Sequence, residues 1–170
     1  RKRIGEILVE RGKLDAAGLD RALRLQQDTP EKLGALLVTL GLCAQRDVAE
    51  ALSTQLGLPF IDAAGYPEFP ILEERVSPRF LRESRALPVR ESETELALAM
   101  ADPTNVFAMD DIKFMTGFNV EPVIAAESSI QLAIGKYYIG SNEIDIFDAA
   151  FAVEAEAAQN GNGHHGNGHG

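Results

Sequence analysis

The chain has 170 residues, 45% of them hydrophobic, which is enough for one compact core or two small ones. Its net charge of −10 argues against duplex nucleic acid as a partner, because such binding rests on a basic face. No apolar run approaches the roughly 18 residues of a membrane span, and no secretory signal is visible. With the single cysteine Cys43, a cytoplasmic setting is expected.

Residues 1–57 predict a bundle of four short helices in two hairpins. The first helix ends at Gly12, since glycine readily adopts the left-handed conformation that ends helices, and Asp15 caps the second helix. In the second hairpin, Thr29-Pro30-Glu31 opens a helix that Gly41 ends, and Gln45 to Leu56 forms its partner. These helices are too short to be stable alone, so they must pack together.

Residues 58–140 predict a small α/β sandwich in the order β-α-β-β-α-β-α, which gives the chain an α+β fold. The predicted strands are Pro59-Phe60-Ile61-Asp62, Ala86 to Arg90, Leu96 to Ala101 and Asn119 to Ile124. The predicted helices run from Ser77-Pro78 through Arg85, from Val106 to Met115, and from Ser128 or Ser129 to Tyr138.

Residues 141–170 predict an acidic segment that can form a helix, followed by a flexible linker of glycine, asparagine and histidine. His164, His165 and His169 lack ordered cysteine or carboxylate ligands beside them in the sequence, so we expect no metal site there.

No catalytic motif is recognisable along the chain. Gly135-Lys136 does not end a phosphate-binding loop, because Tyr137 occupies the Ser/Thr position and the upstream glycine is missing. No nucleophile elbow or metalloprotease motif is present either. The sequence therefore predicts a binding and regulatory module without catalysis of its own.

A 24-residue pattern occurs twice near the start of the chain, at a constant offset of 29 residues. We call the two copies the first and second repeats. The first repeat contains Arg3, Ile4, Gly5, Leu8, Gly12, Leu14, Leu19, Leu23 and Gln26. The second contains Lys32, Leu33, Gly34, Leu37, Gly41, Cys43, Val48, Leu52 and Gln55.

The repeat has a structural explanation and a functional one. Its glycines can end helices, its leucines can form a core, and its glutamines can be exposed helix residues. Gly5 and Gly34, however, lie in the first turns of helices, where glycine costs about 0.5–1 kcal/mol relative to alanine. We therefore expect something to approach these backbones closely. Arg3 and Lys32, beside exposed N–H groups, favour a phosphate or a guanine acceptor edge.

The repeat resembles the N-terminal (MshEN) domain of the bacterial type II secretion and type IV pilus assembly ATPases. Further motifs strengthen the resemblance, which covers about residues 1–140. They are Leu87-Pro88-Val89, Leu96 through Pro103, Asp110-Asp111-Ile112, Thr116-Gly117 and Tyr137-Tyr138.

The resemblance implies recognition of cyclic di-GMP, with each repeat holding one half of a ligand that has two guanines and two phosphates. Carried over by position, one half would be bound by Arg3, Ile4, Gly5, Leu8, Gly12, Leu19, Leu23 and Gln26. The other half would be bound by Lys32, Leu33, Gly34, Leu37, Gly41, Val48, Leu52 and Gln55. Arg1 could add a phosphate contact, and Asp102 could accept guanine N–H groups or cap the helix that follows it.

The second repeat departs from the family pattern at Lys32, where the family favours arginine. Lysine offers a point charge instead of a planar fork, so the Arg3 half is expected to hold its guanine or phosphate better. Cys43 replaces an aliphatic residue but packs as a small hydrophobe.

The resemblance also implies an alternative function without nucleotide binding. The chain would then be a docking domain that attaches an ATPase to the cytoplasmic domain of an inner-membrane platform protein. In either case we expect a cytoplasmic domain that reaches the inner membrane through partners and does not insert into it.

Overall fold

A computed structural model of the chain describes residues 2–138. Arg1, the acidic segment and the predicted linker lie outside the described residues. The chain divides into two compact units, the first ending at Phe60 and the second beginning at Ile61. None of the helices between residues 2 and 138 is long and apolar enough to cross a lipid bilayer.

The first unit consists of four helices, and the four-helix prediction is confirmed in number and order for its described residues. They are α1 (Ile4–Glu10), α2 (Ala16–Gln26), α3 (Leu33–Thr39) and α4 (Gln45–Leu56). The helix α1 packs mainly against α4, and α2 packs mainly against α3, so each helix makes its larger interface with a helix of the other repeat. The two repeats thus share one core. Its buried members are Ile7, Leu8, Leu14, Ala22, Leu37, Cys43, Val48 and Ala51.

Equivalent glycines follow the first helix of each repeat. Gly12 has φ +74° and Gly41 has φ +77°, the left-handed conformation that reverses the chain after a helix. The predicted cap at Asp15 is confirmed, since its carboxylate accepts a hydrogen bond of 2.7 Å from the Gly18 N–H. These local signals set where the helices end.

The predicted start of α3 is wrong by a few residues. Thr29-Pro30-Glu31 forms a turn in which the Thr29 hydroxyl accepts from the Glu31 N–H at 3.3 Å. Helical backbone begins only at Leu33, after the extended residue Lys32. Because a side-chain bond satisfies the Glu31 N–H locally, the chain turns before it becomes helical.

The second unit is a three-stranded sheet with helices and belongs to the α+β class, as predicted. Its elements are α5 (Pro78–Ser84), β1 (Ala86–Glu91), β2 (Glu95–Met100), α6 (Val106–Thr116), β3 (Asn119–Ile124) and α7 (Glu127–Tyr137). The strand order is β1-β2-β3, with β1 antiparallel and β3 parallel to β2. The helix α6 is the crossover that joins the two parallel strands.

The predicted strand at residues 59–62 is wrong. In this segment the Ile61 N–H donates to the Ile124 carbonyl at 2.9 Å, but no ladder follows. Asp62 instead caps the short 3₁₀ helix Ala63–Gly65 by accepting from the Ala64 N–H at 3.1 Å. The Asp62 cap turns the chain into that helix before a strand can extend.

The start of α7 also differs from its prediction. Its N-terminal flanking residue is Ala126, and Ser129 lies inside the helix, where its hydroxyl is 2.7 Å from the Tyr66 hydroxyl. Two further tyrosines at the end of α7 bond to the segment that contains Tyr66 and precedes α5. Tyr137 donates to the Pro67 carbonyl, and Tyr138 donates to the Ile71 carbonyl at 2.7 Å. The hydrogen bonds of Tyr137 and Tyr138 therefore hold the segment before α5 against α7.

Candidate functional site

The basic residue of each repeat occupies an equivalent position in the first unit. Arg3 immediately precedes α1 and Lys32 immediately precedes α3, both in extended backbone with exposed side chains. The side chains of Ile4 and Leu33, which follow them, are partly buried against the shared core. Each repeat therefore places a solvent-facing cation beside a half-buried aliphatic residue.

The glycines Gly5 and Gly34 have an internal reason to lack a side chain. A Cβ at Gly5 would lie 2.6 Å from Leu19 Cδ1, and a Cβ at Gly34 would lie 2.7 Å from Val48 Cγ1. Leu19 and Val48 are equivalent positions of the two repeats. The close approach expected from the sequence is thus made by the second helix of the same hairpin, and a ligand is not needed to explain it.

The terminal glutamines connect one repeat to the other. Gln26 donates from Nε2 to the Glu31 carbonyl at 3.2 Å, and Gln55 donates from Nε2 to the Lys2 carbonyl at 3.4 Å. Glu31 and Lys2 each precede the basic residue of the opposite repeat. The two bonds are related by the same offset of 29 residues, so they fix Arg3 and Lys32 by equivalent contacts.

The predicted site residues differ in how accessible they are. The side chains of Leu8 and Leu37 are fully buried, and Val48 is buried as well. These three residues belong to the core of the first unit, and their contact with a ligand stays a prediction. Leu23 is 42% exposed, and Leu19 and Leu52 are partly buried, so these three leucines are available to a ligand.

A groove of about 590 Å³ lies between α1 and α2 of the first repeat. It is lined by Lys2, Glu6, Val9, Glu10, Ala16, Leu19, Asp20 and Leu23. Leu19 and Leu23 are predicted from the sequence, whereas the charged residues of the groove are not. Glu10 is paired with Lys2 and Asp20 with Arg24, so the groove is anionic through Glu6, which has no ion pair among residues 2–138.

Glu6 lies in the first turn of α1. One of its carboxylate oxygens, Oε1, accepts from the Arg3 N–H at 2.9 Å, while Oε2 has no partner among residues 2–138. Its position, three residues after the basic residue, is the spacing at which a glutamate caps a helix and could have indicated this role. Glu10, by contrast, is paired with Lys2, whose Nζ donates to both of its oxygens at 2.8 and 2.6 Å.

Cys43 belongs to the core of the first unit. Its Sγ donates to the Lys13 carbonyl at 3.7 Å, and burial, followed by the nearby Asp47 carboxylate, raises the pKa of the thiol. A raised pKa keeps the thiol protonated and weakly nucleophilic. The expectation that Cys43 packs as a small hydrophobe is confirmed by its burial.

Asp102 lies in the second unit, in the turn before α6. Its carboxylate accepts from the Thr104 N–H at 3.0 Å and from the Thr104 hydroxyl at 2.5 Å. The cap of α6 is Asn105, whose side chain accepts from the Ala108 N–H at 3.2 Å. The interpretation of Asp102 as the helix cap is therefore wrong, and its contact with a guanine stays a prediction. Arg1 lies outside the described residues.

A protein-family model described as the MshEN domain matches residues 56–143. The match covers more than half of the chain and lies mainly on the second unit. The two repeats precede the matched residues. Their similarity to known proteins therefore rests on relatives that align over a longer range.

Such relatives occur among bacterial motor ATPases. The chain is 35% identical to the type IV pilus assembly ATPase PilB of Myxococcus xanthus, over 80% of this chain and 24% of that protein. It is 37% identical to the type II secretion system protein E of Xanthomonas campestris, over 80% of this chain and 25% of that protein. The chain thus spans about a quarter of the length of these relatives.

Two solved structures resemble the chain over both units. One is the N-terminal domain of XpsE, with a TM-score of 0.66 and 36% identity, covering 80% of this chain and 94% of that one. The other is the structure of MshE with cdg (cyclic di-GMP), with a TM-score of 0.63 and 32% identity, covering 81% of this chain and 100% of that one.

Proposed function

Since the chain belongs to the MshEN domain family, we propose that its two repeats bind one molecule of cyclic di-GMP and that this binding regulates a secretion or pilus-assembly ATPase. The observation that carries the proposal is the equivalence of the two repeats in the folded chain. Gln26 and Gln55 make matching bonds to the residues that precede Lys32 and Arg3. A ligand with two like halves fits two like sets of side chains. The similarity to MshE, whose structure contains cyclic di-GMP, supports the choice of ligand.

In this proposal the phosphates are bound by cations. The side chains of Arg3 and Lys32 are exposed, so both are accessible to a phosphate. Charge-assisted hydrogen bonds to phosphate are short and strong, and arginine adds a bidentate geometry that lysine lacks. The partly buried leucines Leu19 and Leu52 would pack against the flat bases.

The anionic groove of the first repeat would take a base and not a phosphate. The Glu6 carboxylate, which has no ion pair among residues 2–138, opposes a second anion there, while Leu19 and Leu23 offer apolar contact. Guanine carries N–H donors, and a carboxylate oxygen is an acceptor. Oε2 of Glu6, which has no partner among residues 2–138, is thus suited to the guanine N1–H, a position at which adenine has an acceptor nitrogen instead.

Isothermal titration calorimetry of the 170-residue chain with cyclic di-GMP tests the proposal. We expect saturable binding, weaker binding of cyclic di-AMP, and a large loss of affinity in Arg3→Ala. The matched control is Arg79→Ala, an exposed arginine at the start of α5 in the second unit. Equal effects of the two substitutions would count against the site. No detectable heat at hundreds of micromolar ligand would reject the proposal and favour the docking alternative.

A further inference from the structure

The helix α6 presents an apolar and acidic face to solvent. Phe107, Asp110, Asp111 and Phe114 are spaced i, i+3, i+4 and i+7, which places them on one side of a helix. Phe107 is 78% exposed and Phe114 is 91% exposed. We call these four residues the α6 outer face.

The fold of the second unit does not require these phenylalanines. The opposite side of α6 carries the buried residues Ala108, Ile112 and Thr116, through which the helix packs next to β3. Burying a phenylalanine side chain stabilises a fold, yet two of them remain exposed to water here. Val106 is 52% exposed and borders the same face, which enlarges the patch. Exposed apolar patches of this kind mark interaction sites.

The charges on the face indicate what can cover it. Asp110 and Asp111 form no ion pair with any group in residues 2–138, so two uncompensated carboxylates lie between the two phenylalanines. The second unit of another copy is a poor occupant, since residues 61–140 carry thirteen acidic and seven basic residues. The chain's own residues 141–170 carry five acidic residues and no lysine or arginine, so their charge is also unfavourable. The occupant must bring cations of its own.

We propose that the α6 outer face docks an arginine-bearing amphipathic helix of a protein partner. Phe107 and Phe114 are about 10 Å apart along the helix axis, so the partner would offer two aliphatic residues at a similar separation. Arginines between them would form bidentate pairs with Asp110 and Asp111 and stack on the phenylalanine rings. The proposal is independent of ligand binding by the repeats.

Two synthetic helical peptides of equal length test this surface. Both carry leucines one heptad apart, with paired arginines between them in one peptide and paired glutamates in the other. Titration into the ¹⁵N-labelled chain, followed by NMR, should give saturable shifts of α6 amides with the arginine peptide alone. Phe107→Ser/Phe114→Ser should weaken binding about tenfold, and added salt should weaken it further.

The matched control is Phe69→Ser, which removes a phenylalanine that is 74% exposed outside α6. It should leave peptide binding unchanged, and the double variant should retain the native NMR spectrum away from α6 and the wild-type affinity for cyclic di-GMP. The proposal is overturned if the glutamate peptide binds equally well, if neither peptide binds, or if the shifted amides lie elsewhere. Concentration-dependent self-association that the double variant abolishes would identify a second copy as the occupant and would also overturn it.

Discussion

In the first repeat, Glu6, Glu10 and Asp20 line the groove between the two helices. The equivalent positions of the second repeat are Ala35, Thr39 and Ala49, which carry no charge. The residues that the repeats share, namely the glycines, core leucines and terminal glutamines, build the hairpins and hold them in register. The shared positions therefore maintain the fold, and in the proposed function the differing positions determine how each half contacts the ligand.

This difference changes the expected asymmetry of the site. The sequence predicts a stronger Arg3 half, because arginine binds phosphate with better geometry than lysine. The Glu6 carboxylate in the groove of the first repeat would repel a phosphate but would accept from a guanine N–H. We therefore expect the first half to differ from the second mainly in base recognition.

The largest loss of stability is expected at the buried core positions, where the two repeats are most alike. Leu8→Ala and Leu37→Ala each remove a fully buried side chain at equivalent positions of the shared core. Each should lower the free energy of unfolding by about 2–5 kcal/mol, as measured by urea denaturation. Leu23→Ala, at a position that is 42% exposed, is the control and should cost much less. A near-neutral result at either core position would contradict the shared core.

A smaller loss of stability, different at the two positions, is expected when Gly5 or Gly34 is replaced. In Gly34→Ala the new methyl meets the β-branched Val48, which cannot easily rotate away, so the cost should be about 1–3 kcal/mol. In Gly5→Ala it meets the end of the flexible Leu19 side chain, and the better helix propensity of alanine offsets part of the strain. Thermal unfolding of both variants should rank Gly34→Ala as the less stable. The reverse order would refute this packing argument.

Base recognition is tested by Glu6→Gln, which retains a side chain suited to capping α1. We expect affinity for cyclic di-GMP to fall about tenfold, equivalent to 1.4 kcal/mol, and discrimination against cyclic di-AMP to narrow. The control is Glu31→Gln, which changes a carboxylate outside this groove. If Glu6→Gln instead tightens binding, the carboxylate lies near a phosphate and the assignment of the groove to a base is wrong.

The smallest effect is expected for Lys32→Arg, which restores the residue that the family favours. A planar fork in place of a point charge should tighten binding of cyclic di-GMP by about two- to fivefold. Calorimetry under the same buffer and salt as the wild type measures the change. Weaker binding would mean that Lys32 does not face a phosphate.

Local signals explain how much of the fold could be predicted. Glycines that end helices, the Asp15 cap and hydrophobic periodicity are signals that span only a few residues. The helices of the repeats and β3 could therefore be predicted with accurate bounds, except for the start of α3. The prediction of a strand at residues 59–62 is wrong because the apolar composition of this segment did not reveal that Asp62 caps a 3₁₀ helix. Family membership was predicted from the spacing of shared residues, and it is confirmed by the comparisons.

Less of the candidate site could be predicted from the sequence. The spacing of the repeat identified which positions are equivalent, but it could not tell buried Leu8 from exposed Leu23, since both satisfy a helical pattern. The bond from Gln55 to the Lys2 carbonyl joins residues 53 positions apart and depends on tertiary packing, whereas the equivalent bond from Gln26 spans only five residues. The anionic groove combines residues of two helices that no single periodicity relates.

The central claim is that both repeats bind one cyclic di-GMP together. The most direct test is calorimetric titration of wild type, Arg3→Ala and Lys32→Ala under identical conditions. We predict one ligand per chain for the wild type and a large loss of affinity in both variants, because each cation would bind one half of the same molecule. Wild-type affinity in either variant, or two independent ligands per chain, would contradict the claim.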